Sequence, residues 1–217
     1  MGLFEKEFNE SLKYANKTKN IKNIKNFLVN SINENQTIKR LTRYLTTTPL
    51  LNEGVKYSGE LIEQPDLKCG LLDNLREDKE NGIYLEDPNV QTRKRILIPY
   101  QFDDKLMRVE QMYIFINNFK NRFSSKYNTG EYIFEIIVTY DINYNILEPY
   151  GEERILLILE KLEELFDEQY VDSEENIGVI KLHITDIEDI KVSKSIMGKI
   201  ITIESEVLDN REIINYA

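Results

Sequence analysis

The sequence predicts an α+β fold with N-terminal helices, a long irregular arm, and a mixed or antiparallel sheet in the order β-β-β-α-β-β with one helix packed across it. Three observations predict it. Apolar residues recur at helical spacing before residue 46. Strand-like alternation dominates after residue 95. A single broad apolar helical stretch interrupts that alternation near residue 160. These divisions give a basic helical segment at 1–45, an extended arm at 46–94 and an acidic α+β domain at 95–217.

The first helix is expected around Leu3–Tyr14, where Leu3 or Phe4, Phe8 and Leu12 share a face. The polar run Asn16–Asn20 is expected to break it. A second helix, about Ile21–Asn33, carries Ile21, Ile24, Leu28 and Ile32 as one stripe with Phe27 beside it. Asn35 is placed to cap a third, because its side chain can accept a bond from a free amide of the first turn. That helix presents Ile38, Leu41 and Leu45, with Lys39, Arg40 and Arg43 elsewhere, and Thr46-Thr47-Thr48-Pro49 stops it.

From Thr46 to Arg95 no sustained period appears. Gly and Pro punctuate this stretch at turn-like spacing, from Pro49 and Gly54 to Gly82 and Pro88. Its scattered Leu, Ile, Val and Tyr make it too apolar for a free linker. It is therefore expected to lie against its own domain or a neighbouring subunit, with a short helix near Leu71–Asp78. Arg40, Arg43, Leu50, Leu61, Leu67, Leu71 and Leu72 are the candidate residues for a contact between subunits.

After Arg95, strands are expected at Arg95–Tyr100, Gln111–Asn117 and Tyr132–Tyr140. In the last, Tyr132, Phe134, Ile136, Val138 and Tyr140 share one face and Ile133, Glu135, Ile137 and Thr139 the other. Neither face is purely polar, so both are expected to be covered in part. A polar hairpin loop joins the second and third strands over Asn121–Gly130. Pro149 and Gly151 precede a core helix over Glu152–Asp167, with Glu152 and Glu153 in the first turn where the dipole favours carboxylates. Strands follow at Gly178–Thr185 and Lys199–Val207, with Asp186–Ser195 as the link.

Composition bounds the chemistry. The chain has 217 residues and a formal charge of −10. Residues 1–45 carry nine Lys/Arg against four Glu, so the excess negative charge lies beyond them. Such polarity fits a basic segment meeting an acidic partner surface or nucleic acid, or a solvated helix face. No aromatic residues interleave with the lysines as in a stacking surface, so nucleic acid is expected only as a neighbour. One cysteine, Cys69, precludes an internal disulfide and fits assembly in a reducing compartment. Neither a secretory signal nor an apolar run of membrane-spanning length is read, and Lys6 stands where a myristoylation pattern wants Ser or Thr.

No catalytic constellation is legible, and no metal or cofactor is expected. His183 is the only histidine, and neither a zinc-ligand cluster, a GxSxG nor a phosphate-binding glycine loop is present. Pro65-Asp66 and Asp189-Ile190-Lys191 come nearest to a metal-dependent nuclease, which uses carboxylates for Mg²⁺ and a lysine near the reacting oxygens. Matches this short arise by chance in a chain with 38 acidic and 28 basic residues. A protein-binding adaptor of the cytoplasm is the alternative of a different class.

Two parts of the chain resemble the neck and tail-completion proteins of tailed bacteriophages, the head–tail joining factors that include tail terminators. One is Asn35-Gln36-Thr37-Ile38-Lys39-Arg40-Leu41 with Tyr44 and Pro49-Leu50. The other is the pattern after Arg95: a strand, a long connection, strands carrying Ile-Phe-Ile and Phe-Glu-Ile-Ile-Val, and a helix opened near Arg154. Tyr140-Asp141 and Asn143–Asn145 depart from the more apolar run of relatives. The resemblance implies a non-enzymatic virion protein forming a ring, often a hexamer, between portal or adaptor proteins and the tail tube or sheath. Genomic DNA would then pass non-specifically through the ring.

Overall fold

The computed structural model describes residues 3–67, 70–72, 95–103, 111–123, 130–172 and 179–208; for 3–18, 123, 130, 171–172, 179–180 and 206–208 the backbone alone is described. The fold is α+β. The elements run α1 (Leu3–Glu34), α2 (Gln36–Arg43), β1 (Glu53–Val55), β2 (Leu61–Glu63), β3 (Leu97–Ile98), β4 (Tyr113–Phe123), β5 (Gly130–Asp141), α3 (Arg154–Phe166), β6 (Tyr170–Asp172), β7 (Val179–Lys191) and β8 (Ile196–Leu208).

β1 and β2 form a small antiparallel hairpin apart from the main sheet. The main sheet is mixed, in the order β3-β4-β5-β8-β7-β6. Only β3 is parallel to its neighbour; the other four pairings are antiparallel. β5 pairs along its length with both β4 and β8. Both of its faces carry apolar residues because a hydrophobic cluster forms on each side of the sheet at this strand.

One face of β5 carries Tyr132, Phe134, Ile136, Val138 and Tyr140 into the main core. Ile24, Leu28 and Ile32 of α1, Ile38 and Leu41 of α2, and Ile155, Ile158, Leu159, Leu162 and Phe166 of α3 complete that core. All three helices therefore supply one continuous apolar layer, as an α+β fold requires. On the opposite face Ile137 joins Ile98, Tyr113 and Phe115, with Phe102 and Ile200 packed against them.

Several boundaries differ from those expected. The two helices expected before Asn35 are one, α1, unbroken through Asn16–Asn20. Asn20 is buried in it and donates to the Tyr132 hydroxyl at 3.2 Å, so a polar residue takes a core-facing position by finding a partner on β5. The segment Asp186–Ile190, expected as a link, continues β7. A bulge between Ile184 and Asp186 shifts the register there and disturbs the alternation that marks a strand. A second bulge, between Asn118 and Lys120, carries β4 on to Phe123, into the expected loop. Leu156, an apolar residue of the expected core helix, is exposed.

The Asn35 cap is as expected: its Oδ1 accepts from the Ile38 amide at 3.0 Å. α3 is started differently. Its cap, Glu153, makes no capping bond with its side chain, and Asn145 takes that role. Asn145 accepts from the Arg154 amide through its carbonyl (2.6 Å) and from the Ile155 amide through Oδ1 (3.1 Å).

The main core predicts its own sensitivity. Phe134→Ala, which empties a fully buried site of the main core, is expected to cost about 3–5 kcal/mol in urea denaturation. A loss below about 0.5 kcal/mol, the range of exposed sites, would place Phe134 outside the core.

Candidate functional site

The described part of the stretch from Thr46 to Leu72 has little regular structure, yet Thr46, Thr47, Pro49, Gly54, Gln64, Leu67, Gly70 and Leu71 are buried in it. A buried backbone without a ladder must find other partners for its carbonyls. Here cationic and amide side chains supply them. Arg40 donates through Nε to the Pro49 carbonyl at 3.1 Å, through Nη2 to the Leu51 carbonyl, and through Nη1 to Asp66 at 3.1 Å. Lys39 Nζ lies 3.5 Å from the Leu67 carbonyl and Arg43 Nη2 3.3 Å from that of Gly70. Arg95 Nε donates to the Leu72 carbonyl at 3.0 Å. Gln64, fully buried, donates Nε2 to the carbonyls of Thr48 and Leu51, both at 2.9 Å, and accepts from the Thr46 hydroxyl.

Arg154 is the centre of this system. Its side chain is fully buried and makes no ion pair among the described residues. Nη1 donates to the carbonyls of Leu41 (2.6 Å) and Tyr44 (2.8 Å), Nη2 to that of Thr46, and Nε to that of Tyr144 (2.7 Å). The fork thus joins the C-terminal end of α2, the start of the irregular stretch, the turn after β5 and the first residue of α3. Burial pushes its pKa below the ordinary arginine value, with the Tyr57 hydroxyl opposing the shift. The carbonyl end of α2 also favours a cation at this point.

The candidate contact residues separate into two groups. Arg40, Arg43, Leu67 and Leu71 face inward: the two arginines bond the chain's own carbonyls, and Leu67 and Leu71 are buried. Leu71 is a member of the main core, and its carbonyl accepts from the amides of Ile96 and Leu97, both at 3.1 Å. Leu72 is partly buried against the same core, with its amide on Asn33 Oδ1 at 2.9 Å. These residues fasten the segment to its own domain, because a buried leucine and saturated carbonyls leave nothing there to offer a neighbour. Leu50 and Leu61 remain at the surface, Leu61 at 69 % exposure. The helix expected at Leu71–Asp78 falls beyond Leu72 outside the described residues, as does Cys69.

Two glycines of this stretch serve close approach rather than turns. A Cβ on Gly54 would sit 2.1 Å from the Gln64 side chain, and one on Gly70 would sit 2.5 Å from that of Asn33. Gly59, at φ +86° between β1 and β2, does serve a turn.

Around this junction lies an exposed apolar end. Leu50, Leu51, Tyr57, Leu61, Ile146 and Tyr150 all expose large side chains, Tyr150 at 86 %. The hairpin and the loop after β5 are tied together: Tyr57 donates its hydroxyl to the Ile146 carbonyl at 2.9 Å, and its ring meets Tyr144 edge to face at 5.2 Å. The Glu148 amide donates to the Thr47 carbonyl at 2.9 Å. Exposed apolar residues grouped on a fixed scaffold mark an interaction surface.

Carboxylates that sequence matching associated with a nuclease are occupied separately. Asp66 pairs with Arg40, and Asp189 with Lys199 at 2.7 Å. Asp167, Glu168 and His183 do lie close enough for their ligand atoms to converge. Glu168, however, holds His183 Nδ1 at 2.7 Å with one oxygen and Lys181 at 2.5 Å with the other, and Asp167 accepts from the Ile184 amide at 3.0 Å. A lysine ammonium within the cluster opposes a cation there. No helix among the described residues is long and apolar enough to cross a membrane. Compared with known proteins, the chain matches no protein-family model and no curated sequence.

Arg154 gives the sharpest prediction. Arg154→Met keeps much of the bulk but strands four buried carbonyls, and it is expected to cost about 3–5 kcal/mol in chemical denaturation. Arg154→Lys should recover little of this, since one ammonium cannot span the fork. A cost under 1 kcal/mol for Arg154→Met would show that the carbonyls do not depend on it.

Proposed function

We propose that this chain is a structural protein of the neck of a tailed bacteriophage, a tail-terminator-like subunit of a ring that joins head to tail. One observation carries this reading. Of the residues by which the sequence resembles head–tail joining proteins, Arg40, Leu41, Tyr44, Pro49 and Arg154 meet at one buried junction. A resemblance spread over more than a hundred residues of sequence thus has a single physical purpose, holding α2, the irregular segment and α3 together.

The surface beside that junction supports the same reading. Ring subunits need fixed, partly apolar faces, and the hairpin with the loop after β5 provides one. The portal or adaptor proteins on one side, and the tail tube or sheath on the other, are the partners of such a ring. An acidic subunit also suits a DNA conduit, because like charge keeps DNA from adhering to the wall.

The test is complementation of a phage lacking this gene. Without the protein, filled heads and unjoined tails are expected by electron microscopy, and wild-type protein should restore joined particles. Leu61→Glu with Tyr150→Glu should leave melting nearly unchanged, because both side chains are exposed, yet block joining. Complete, infectious particles formed without the protein, or its absence from purified virions, would contradict the reading and favour a cytoplasmic adaptor.

A further inference from the structure

The main sheet ends in two edges that are each only partly covered among the described residues. On one side β3 pairs with β4 only at Ile114 and Phe115, which leaves Asn117–Phe123 as an open edge. On the other side β6 pairs with β7 only at Val179–Lys181. The amides of Leu182 and Ile184 then bond Gln169 and Asp167, and Thr185–Lys191 is open. Each open segment spans seven residues.

The two edges differ in charge. The β4 edge presents exposed Lys120 and Arg122 and no carboxylate. The β7 edge presents Asp186, Glu188 and Asp189, with Lys191 as its one cation. Arg122 reaches Glu131 on β5 at 3.2 Å, and Asp189 is paired with Lys199. Lys120, Asp186 and Glu188 have no ion-pair partner among the described residues.

The backbone of both edges is set for pairing. The Val192 amide bonds the Ile196 carbonyl, so antiparallel alternation turns the amides of Ile187, Asp189 and Lys191 away from β8. The Ile187 amide is met only by the neighbouring Asp186 carboxylate, at 2.8 Å. On β4 the Ile114 amide points outward to Ile96, and the same alternation carried across the Asn118/Lys120 bulge turns Asn121 outward. β4 and β7 run in opposite directions within the sheet.

We propose that the β7 edge of one copy pairs antiparallel with the β4 edge of a second copy of this chain, with Lys120 opposite Glu188 and Arg122 opposite Asp186. The proposal rests on the ring reading above and names its subunit contact. In this register Asn121 lies opposite Ile187, two outward-facing positions, so the main-chain bonds and the charge pairs agree. Both bulges fall outside the matched residues Lys120–Arg122 and Asp186–Glu188. All four charged side chains lie on the sheet face away from the helices, the face of Ile133, Ile200 and Thr202. The contact is head to tail, the type that closes into rings. The same charges and bulges that deter indiscriminate edge pairing would admit this complementary edge. Burial raises the pKa of Glu135, a hydrogen bond from Asn117 lowers it, and the nearby Glu188 carboxylate raises it again, which places Glu188 beside a second carboxyl group on this face.

The test uses the full chain in native mass spectrometry, with circular dichroism to check folding. Asp186→Lys with Glu188→Lys makes both edges basic, and Lys120→Glu with Arg122→Glu makes both acidic. Each double variant is expected to be a folded monomer where the wild type forms a ring. Combining all four substitutions should restore the ring, as should mixing the two double variants. A wild-type ring that persists in both double variants, or double variants that neither combination restores, would overturn the edge pairing while leaving the ring reading standing. A wild type that stays monomeric at every concentration would overturn both.

Discussion

Buried backbone without a ladder needs donors for its carbonyls, and the structure depends on how this requirement is met. Among the described residues between α2 and β3 the regular structure is two three-residue strands. Lys39, Arg40, Arg43, Arg95, Arg154 and Gln64 supply the missing donors. Arginine suits this purpose because its planar fork presents several fixed donors, more weakly hydrated than an ammonium. Arg154 uses that fork to reach three separate segments at once. The position of α3 over the sheet and of α2 beside it is thereby fixed from one point.

This arrangement changes the meaning of the charge split. Lys39, Arg40 and Arg43 are three of the nine cations in residues 1–45, and all are buried against the chain's own carbonyls. Part of the basic segment therefore has an internal purpose and is withdrawn from any external partner. Among the described residues, two other surfaces stand out: an apolar end at the hairpin, and the oppositely charged open edges of the sheet. The first suits desolvated contact, the second orientation and register.

Much of the scaffold was legible from sequence because local signals and tertiary structure agreed. The alternation of Tyr132–Tyr140, the stripe of α3 and the Asn35 cap each depend on neighbours close in the chain. The rest depended on distant partners. Asn16–Asn20 looks like a break until Tyr132 supplies a partner for Asn20. Gly54 and Gly70 look like turns until Gln64 and Asn33 are seen packed against them. Bulges at Ile184/Asp186 and Asn118/Lys120 interrupt the period of two and hide how far β7 and β4 extend. In the candidate site, Arg154 was visible as an anchor of the resemblance, but its four carbonyl partners come from segments that no sequence spacing connects.

The segment from Thr46 to Leu67 is held by its own chain. Hydrogen exchange of the isolated monomer tests this most directly, because the amides of Thr47 and Gln64 each donate within the chain at 2.7 Å. Peptides covering 46–67 are expected to exchange far more slowly than free chain in the monomer, and Arg154→Met is expected to accelerate them. Rapid exchange in the monomer, with protection arising only on assembly, would contradict it and show that a neighbouring subunit holds the segment.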